Sequence, residues 1–255
     1  VEREQGVVDL IWDLSRAAKA VGFEIEEVGP HAPVPLLAFR RPAKGDPAGE
    51  PLYLSAGIHG DEPAGPLALL SLLEHDLLPR NRAIDMLPLL NPQGLRDGTR
   101  TNALGVDLNR DYRNATSHEV RCHRHWLDFH QPRYALTVCL HEDWEAKGFY
   151  AYELGPPGER TLLRPVLEAV AGVHPLDPSP EIDGLPAAEG MITPPPAEEL
   201  LLVEEWPEAF LLWRDHGPRH HTYETPSKEW DLDARRAAHV TAIRAVLAVL
   251  ADRGL

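Results

Sequence analysis

Pro51-Leu-Tyr-Leu-Ser-Ala-Gly-Ile-His-Gly-Asp-Glu-Pro-Ala-Gly65 decides how this chain is read. Pro51–Ile58 is an apolar run of strand length that stops at His59, and a leucine-rich helix is predicted from about Ala64 to His75. Between them stand an imidazole and two carboxylates, in a stretch whose small residues let the backbone turn tightly. Ligands of open α/β sheets bind outside the carboxyl ends of strands, which places His59 at a functional edge. Glu62 follows by three residues, close enough for one turn to aim both side chains at one ion.

Working outward, strand and helix signals alternate. Residues 6–20 carry Val7, Leu10, Ile11, Leu14 and Ala18 at helical spacing. Strand candidates follow at Phe23–Val28 and Val34–Phe39, split by Gly29-Pro30, and another at Ile84–Leu90 is closed by Asn91-Pro92. Residues 117–130 read as a helix, and Tyr134–Leu140 as a strand that stops one residue before His141. The second half holds a helix over Gly158–Val173, a proline-punctuated loop over Pro175–Pro196 and strand candidates at Leu200–Val203 and Arg219–Tyr223. A closing helix from about Asp233 to Leu250 would bury Val240, Ile243, Val246, Leu247 and Leu250. This order predicts an α/β class: one domain over residues 1–255, with a mixed, mostly parallel twisted sheet and helices on both faces.

Composition narrows the partners. At 255 residues and 43% hydrophobic, the chain can build one sizeable core. A formal net charge of −15 argues against nucleic acid and anionic membranes, and would repel acidic substrates unless arginines make the pocket locally basic. No apolar run approaches the roughly 18–20 residues that cross a bilayer. Cys122 and Cys139 form no paired framework and read as buried small hydrophobes, which suits a reducing compartment. Glu2, Glu4 and Asp9 interrupt any signal-peptide pattern, so a cytoplasmic protein is expected, although the start at Val1 leaves room for a removed segment.

The pair His59 and Glu62 is by itself a weak signal, since the chain has 13 histidines and a second such spacing at His221–Glu224. Context strengthens it. His59-Gly60-Asp61-Glu62, the segment from Arg100 through Gly105-Val-Asp-Leu-Asn-Arg110, then His141 and Thr222-Tyr-Glu224, taken in order, resemble the zinc carboxypeptidase family (carboxypeptidase A-like), in its compact bacterial branch. The resemblance covers about residues 52 to 226 and includes an Asn91-Pro92-Gln93-Gly94 turn. It implies one zinc ion held by His59, Glu62 and His141, a ligand set that leaves a position for water. It implies that Glu224 is the general base, that Arg100 stabilises the oxyanion, and that Asn109 and Arg110 grip the terminal carboxylate of a peptide or small amide. Glu224 must then stay off the metal, which rules out His221–Glu224 as the ligand pair. A lid tyrosine stays open between Tyr150, Tyr152 and Tyr223, and a second metal at His118, Cys122 and His123 is disfavoured because they sit on a helix.

Two rival readings remain. Aspartoacylases and succinylglutamate desuccinylases resemble the same site and cleave N-acyl amino acids. They usually add a C-terminal β-rich domain, whereas this chain closes in a helix about 30 residues after Glu224, and their first arginine sits nearer the Asp-Leu-Asn-Arg run than Arg100 does. A catalytically silent carboxylate-binding protein is disfavoured by the joint presence of His59, Glu62, His141, Arg100, Arg110 and Glu224.

Overall fold

Alternation along Leu52–Ala56 sends Leu52, Leu54 and Ala56 into one apolar core and Tyr53 into another, so this strand must lie inside a sheet covered on both faces. In the computed structural model, which describes residues 2–156, 159 and 161–255, it does. The chain runs α1 (Glu2–Ala20), β1 (Glu24–Gly29), β2 (Leu36–Arg41), β3 (Leu52–Ala56), α2 (Ala64–Glu74), β4 (Ile84–Leu87), α3 (Pro92–Asp97) and α4 (His118–His130). It continues β5 (Leu136–Asp143), β6 (Tyr150–Leu154), α5 (Leu163–Ala171), β7 (Glu181–Ile182), β8 (Leu185–Ala188), β9 (Met191–Ile192), α6 (Ala197–Leu200), α7 (Glu208–Leu211), β10 (His220–Pro226) and α8 (Leu232–Arg253).

The strands form one mixed sheet in the order β1-β2-β4-β3-β5-β10-β6-β9-β8-β7. Its centre, β4-β3-β5-β10, is parallel, and antiparallel neighbours flank it at β2 and β6. One face is covered by α1, α2, α5 and α8, through residues such as Leu14, Leu69, Val166 and Ile243. The other is covered by α4 and by α7 with its π-helical continuation Leu212–His216, through Val120, Leu127, Leu211 and Leu212. Side-chain caps set where helices begin: Ser117 accepts from Val120 N, Asp231 from Ala234 N and Asn91 from Gly94 N. Among the described residues, no helix is long and apolar enough to cross a membrane.

Several local expectations are corrected. His141 lies inside β5 rather than beyond it, because parallel pairing with β10 continues as far as Asp143. The Asn91-Pro92 turn is the start of α3, and the second-half helix begins at Leu163; residues 157, 158 and 160 lie outside the described residues. Pro175–Pro196 holds two hairpins, β7–β8 and β8–β9. Asp183-Gly184 and Glu189-Gly190 turn them, all four residues having positive φ, the backbone geometry that two-residue hairpins require. Leu200–Val203 is not a strand: the carbonyl of Pro196 accepts from both Glu199 N and Leu200 N, which closes a helical turn. Short apolar runs fit either structure, so only these hydrogen bonds separate the two.

The His59–Glu62 turn is seated on α3 through two glycines. Gly60 N donates to Thr99 O at 3.0 Å, and a Cβ on Gly60 would lie 1.8 Å from the main-chain carbon of Gly94. No rotamer relieves a backbone clash of that size. Gly60→Ala should therefore lower the free energy of unfolding by about 2–3 kcal/mol or more, read from urea denaturation. Wild-type stability in that variant would show that the turn is free to move.

Candidate active site and metal centre

The same alternation that builds the core assembles a rack of polar side chains on the face opposite α2 and α8. On β5, Leu136, Val138 and Leu140 enter the α2–α8 core, which turns Cys139 and His141 to the other side. On β10, Tyr223 enters that same core, which turns Thr222 and Glu224 outward beside them. Register then makes rows: His141 pairs with Glu224 and Glu224 with Tyr150, while Cys139 pairs with Thr222 and Thr222 with Tyr152. All six side chains line one cavity of about 660 Å³.

His59 and Glu62 enter this cavity from the turn between β3 and α2. Glu62, buried, places Oε1 2.6 Å from His59 Nδ1 and Oε2 3.1 Å from His141 Nδ1. Among the described residues this is the one trio of His, Cys, Asp or Glu whose donor atoms converge, all within 4.8 Å of one another. On its far side His59 Nε2 meets Asp107 Oδ1 at 3.1 Å, and Asp107 Oδ2 accepts from Arg100 Nε at 2.9 Å. Two imidazoles and a carboxylate, with one imidazole fixed by a second carboxylate, are a donor set suited to a divalent transition metal with a free coordination position.

The sequence comparisons agree with this geometry. Residues 48–171, a stretch that carries His59, Glu62, Arg100, Asn109, Arg110 and His141, match the Succinylglutamate desuccinylase/Aspartoacylase catalytic domain family. Murein peptide amidase A of Escherichia coli (strain K12) is 38% identical over 78 residues, which is 31% of this chain and 31% of that protein. A candidate metallopeptidase from Shewanella amazonensis SB2B superposes with a TM-score of 0.80 at 26% identity, over 97% of this chain and 94% of that one. Carboxypeptidase A from Helicoverpa armigera shares the fold, with a TM-score of 0.64 at 17% identity over 94% and 71% of the two chains. Just under half of the chain thus resembles a catalytic-domain family of the zinc carboxypeptidase-like superfamily, and nearly the whole chain shares that fold. The matched segment ends before β10 and so does not include Glu224.

The electrostatics of the trio favour a bound cation. Burial opposes a charge on His59, but Glu62 and the Asp107 hydrogen bond outweigh it and raise the imidazole to about 9. Burial would also neutralise Glu62, yet His59 and His141 hold it well below the ordinary glutamate range. Glu224 behaves oppositely: burial, then the charges of Glu62, Asp143 and Asp183, push it up against the pull of His141. A divalent ion entering the trio would displace the proton held by His59 and offset the crowded carboxylates.

The structure separates the remaining candidates. Arg100 lines the cavity, whereas the competing Arg96 pairs with Asp97 at 2.7 Å away from it. Arg110 and Asn109 also line it; Arg110 Nη1 donates to Asn109 O at 2.9 Å and, among the described residues, pairs with no carboxylate. Tyr150 and Tyr152 face the cavity, and Tyr223 is buried in the opposite core. His118 reaches Pro30 O and lies against Cys122 Sγ, but His123 is held between Tyr53 and Tyr112, so the three do not converge on an ion.

Two residues escaped the sequence reading. Asp107 sat inside the quoted Gly-Val-Asp-Leu-Asn-Arg segment, and its type and place were the available signal. Glu208, buried beneath the cavity wall, gave none. Removing the Asp107 charge while keeping its shape should weaken metal binding: Asp107→Asn is expected to lower affinity 10–100-fold in a chelator competition. Unchanged affinity would mean that Asp107 serves Arg100 alone.

Proposed function

We propose that the protein is a zinc-dependent metallocarboxypeptidase that hydrolyses the C-terminal peptide or amide bond of a substrate with a free carboxylate. The observation that carries this reading is the juxtaposition, in one cavity, of the His59–Glu62–His141 trio, the neighbouring carboxylate of Glu224 and the cations Arg100 and Arg110. One zinc ion held by the trio would polarise a carbonyl and acidify a water. Glu224 is the general base: it takes the proton of the attacking water and delivers it to the leaving nitrogen. Its raised pKa suits a carboxyl that must return that proton. Arg100, held by Asp107 at the edge of the trio, stabilises the oxyanion, and Asn109 with Arg110 grips the terminal carboxylate. The whole chain acts as one catalytic domain, and free Cys122 and Cys139 suit a cytoplasmic setting.

The family model favours a second reading, an N-acyl amino acid deacylase. The cavity's charge favours the first. Arg100 and Arg110 share it with Asp143, Glu145, Asp183 and Glu205 as well as Glu62 and Glu224, so the pocket is acidic rather than locally basic. Among the described residues none of those four additional carboxylates is paired with a cation; Asp143 accepts from Tyr150 Oη and Glu145 N, and Asp183 from Tyr152 Oη. Such walls repel the second carboxylate of an N-acyl aspartate or glutamate but leave room for one terminal carboxylate at Arg110.

Zinc-loaded protein should release C-terminal residues from a panel of ordinary and murein-type γ-glutamyl peptides, detected by mass spectrometry, with basic residues favoured over acidic ones. Hydrolysis confined to N-acyl amino acids would transfer the case to the deacylase reading. Glu224→Gln should keep its zinc and lose at least 100-fold in kcat; unaltered turnover would remove Glu224 as the base. Arg110→Ala should raise KM for free acids at least tenfold more than for the matching amides. Equal effects on both would remove Arg110 from carboxylate anchoring.

A further inference from the structure

Glu208 is a buried carboxylate, 1% exposed, that forms no ion pair among the described residues. Three donors converge on it instead. Tyr53 Oη donates to Oε1 at 2.7 Å, Ser55 Oγ to Oε2 at 3.0 Å and Cys139 Sγ to Oε2 at 3.4 Å. Tyr53 and Ser55 belong to β3 and Cys139 to β5, so one carboxylate spans the two strands that lead to His59 and His141. The network continues in one direction. His123 accepts from Tyr112 Oη through Nδ1 at 2.8 Å, and its Nε2–H donates to Tyr53 Oη at 3.1 Å. Tyr53 has only one hydrogen and gives it to Glu208, so this His123 tautomer follows from the donors available. A buried acid without a cation is costly, and its maintenance calls for a use.

The use lies on the main chain. Glu208 N–H donates to Asn109 Oδ1 at 2.9 Å. A backbone N–H can only donate, so the Asn109 atom facing it is the oxygen, and the amide orientation is settled without ambiguity. The Nδ2 donors are thereby turned the other way, and among the described residues they meet no protein acceptor. Asn109 lines the cavity next to Arg110, as do Pro207, Ala209 and Phe210 on either side of Glu208. Were the wall free to shift, the Asn109 amide could rotate and present its oxygen to an anion, turning attraction into repulsion.

We infer that Glu208 is a positioning residue for the substrate carboxylate: its side chain pins the 207–210 wall to β3 and β5, and its N–H thereby fixes the Asn109 amide with both donors toward the anion. This rests on the proposed role of Asn109 and Arg110 as the carboxylate anchor. It also explains why the anchor can be made of an asparagine at all, since an unfixed amide would read a carboxylate and an amide about equally.

The test is a binding comparison that needs no turnover. Metal-loaded Glu224→Gln protein is titrated with N-acetyl-alanyl-lysine and with its C-terminal amide, alone and combined with Glu208→Gln, Asn109→Ala or both. With Glu208 present the free acid should bind at least tenfold more tightly than the amide. Glu208→Gln, which puts an NH2 in place of one accepting oxygen and so against Tyr53 on one side or Ser55 and Cys139 on the other, should reduce that preference to under threefold while metal content stays stoichiometric. Adding it to Asn109→Ala should cause no further loss, because both act on one contact. Should Glu208→Gln fail to fold, Tyr53→Phe removes a single hydroxyl and should reduce the preference two- to fivefold. A preference for the free acid that survives Glu208→Gln, or Tyr53→Phe in its place, overturns the inference, as do losses that multiply with those of Asn109→Ala. Absence of any preference with Glu208 intact overturns the carboxylate-anchor reading itself, a different result seen before any change at position 208.

Discussion

The structure depends on one buried carboxylate held between two imidazoles. Glu62 brings together His59, from the turn after β3, and His141, from the middle of β5. A charge in that position is tolerable only while its partners are present, and losing one partner of such a pair typically costs about 3–5 kcal/mol. Everything that fixes the partners therefore serves the site. The parallel β3–β5–β10 order brings the strand ends to one edge, glycine contact with α3 seats the turn, and Asp107 holds the outer face of His59. Without those constraints the trio would neutralise or separate, and no metal position would remain.

Much of this was legible before any coordinates. The apolar runs before His59 and His141 placed both residues near the functional edge of the sheet, because strand ends are where open sheets place function, while the ligand set itself was what the resemblance implied. The strand candidate Arg219–Tyr223 stopped one residue short of Glu224, whose role was only what the resemblance implied. That Glu224 shares a face with His141 needs the β5–β10 register, a pairing between segments about 80 residues apart. The hairpins of Pro175–Pro196 were hidden by prolines, although Asp183-Gly184 is a recognisable turn pair. Glu208 was illegible: nothing local distinguishes a buried glutamate from a solvated one, and only Tyr53, Ser55 and Cys139, from strands far away in sequence, make it buried.

Charge ties the parts of the cavity together. Taken as a whole the chain is acidic, and the cavity follows the chain instead of opposing it. Under the proposed function Arg100 and Arg110 would answer an oxyanion and one carboxylate, while the remaining carboxylates favour a cation at the trio and disfavour further anions. On that proposal selectivity would come from geometry at Arg110 and Asn109 rather than from a broadly basic pocket. The support beneath Asn109 accordingly matters as much as the residues that touch a substrate.

The most direct test of the account is X-ray absorption at the zinc edge on protein loaded with one equivalent of zinc. The account predicts a first shell of two imidazole nitrogens with oxygen donors and no sulfur, lost in His141→Ala. A sulfur scatterer, which would implicate Cys139, or a shell of oxygens alone that survives His141→Ala, would contradict the metal centre on which the functional reading stands.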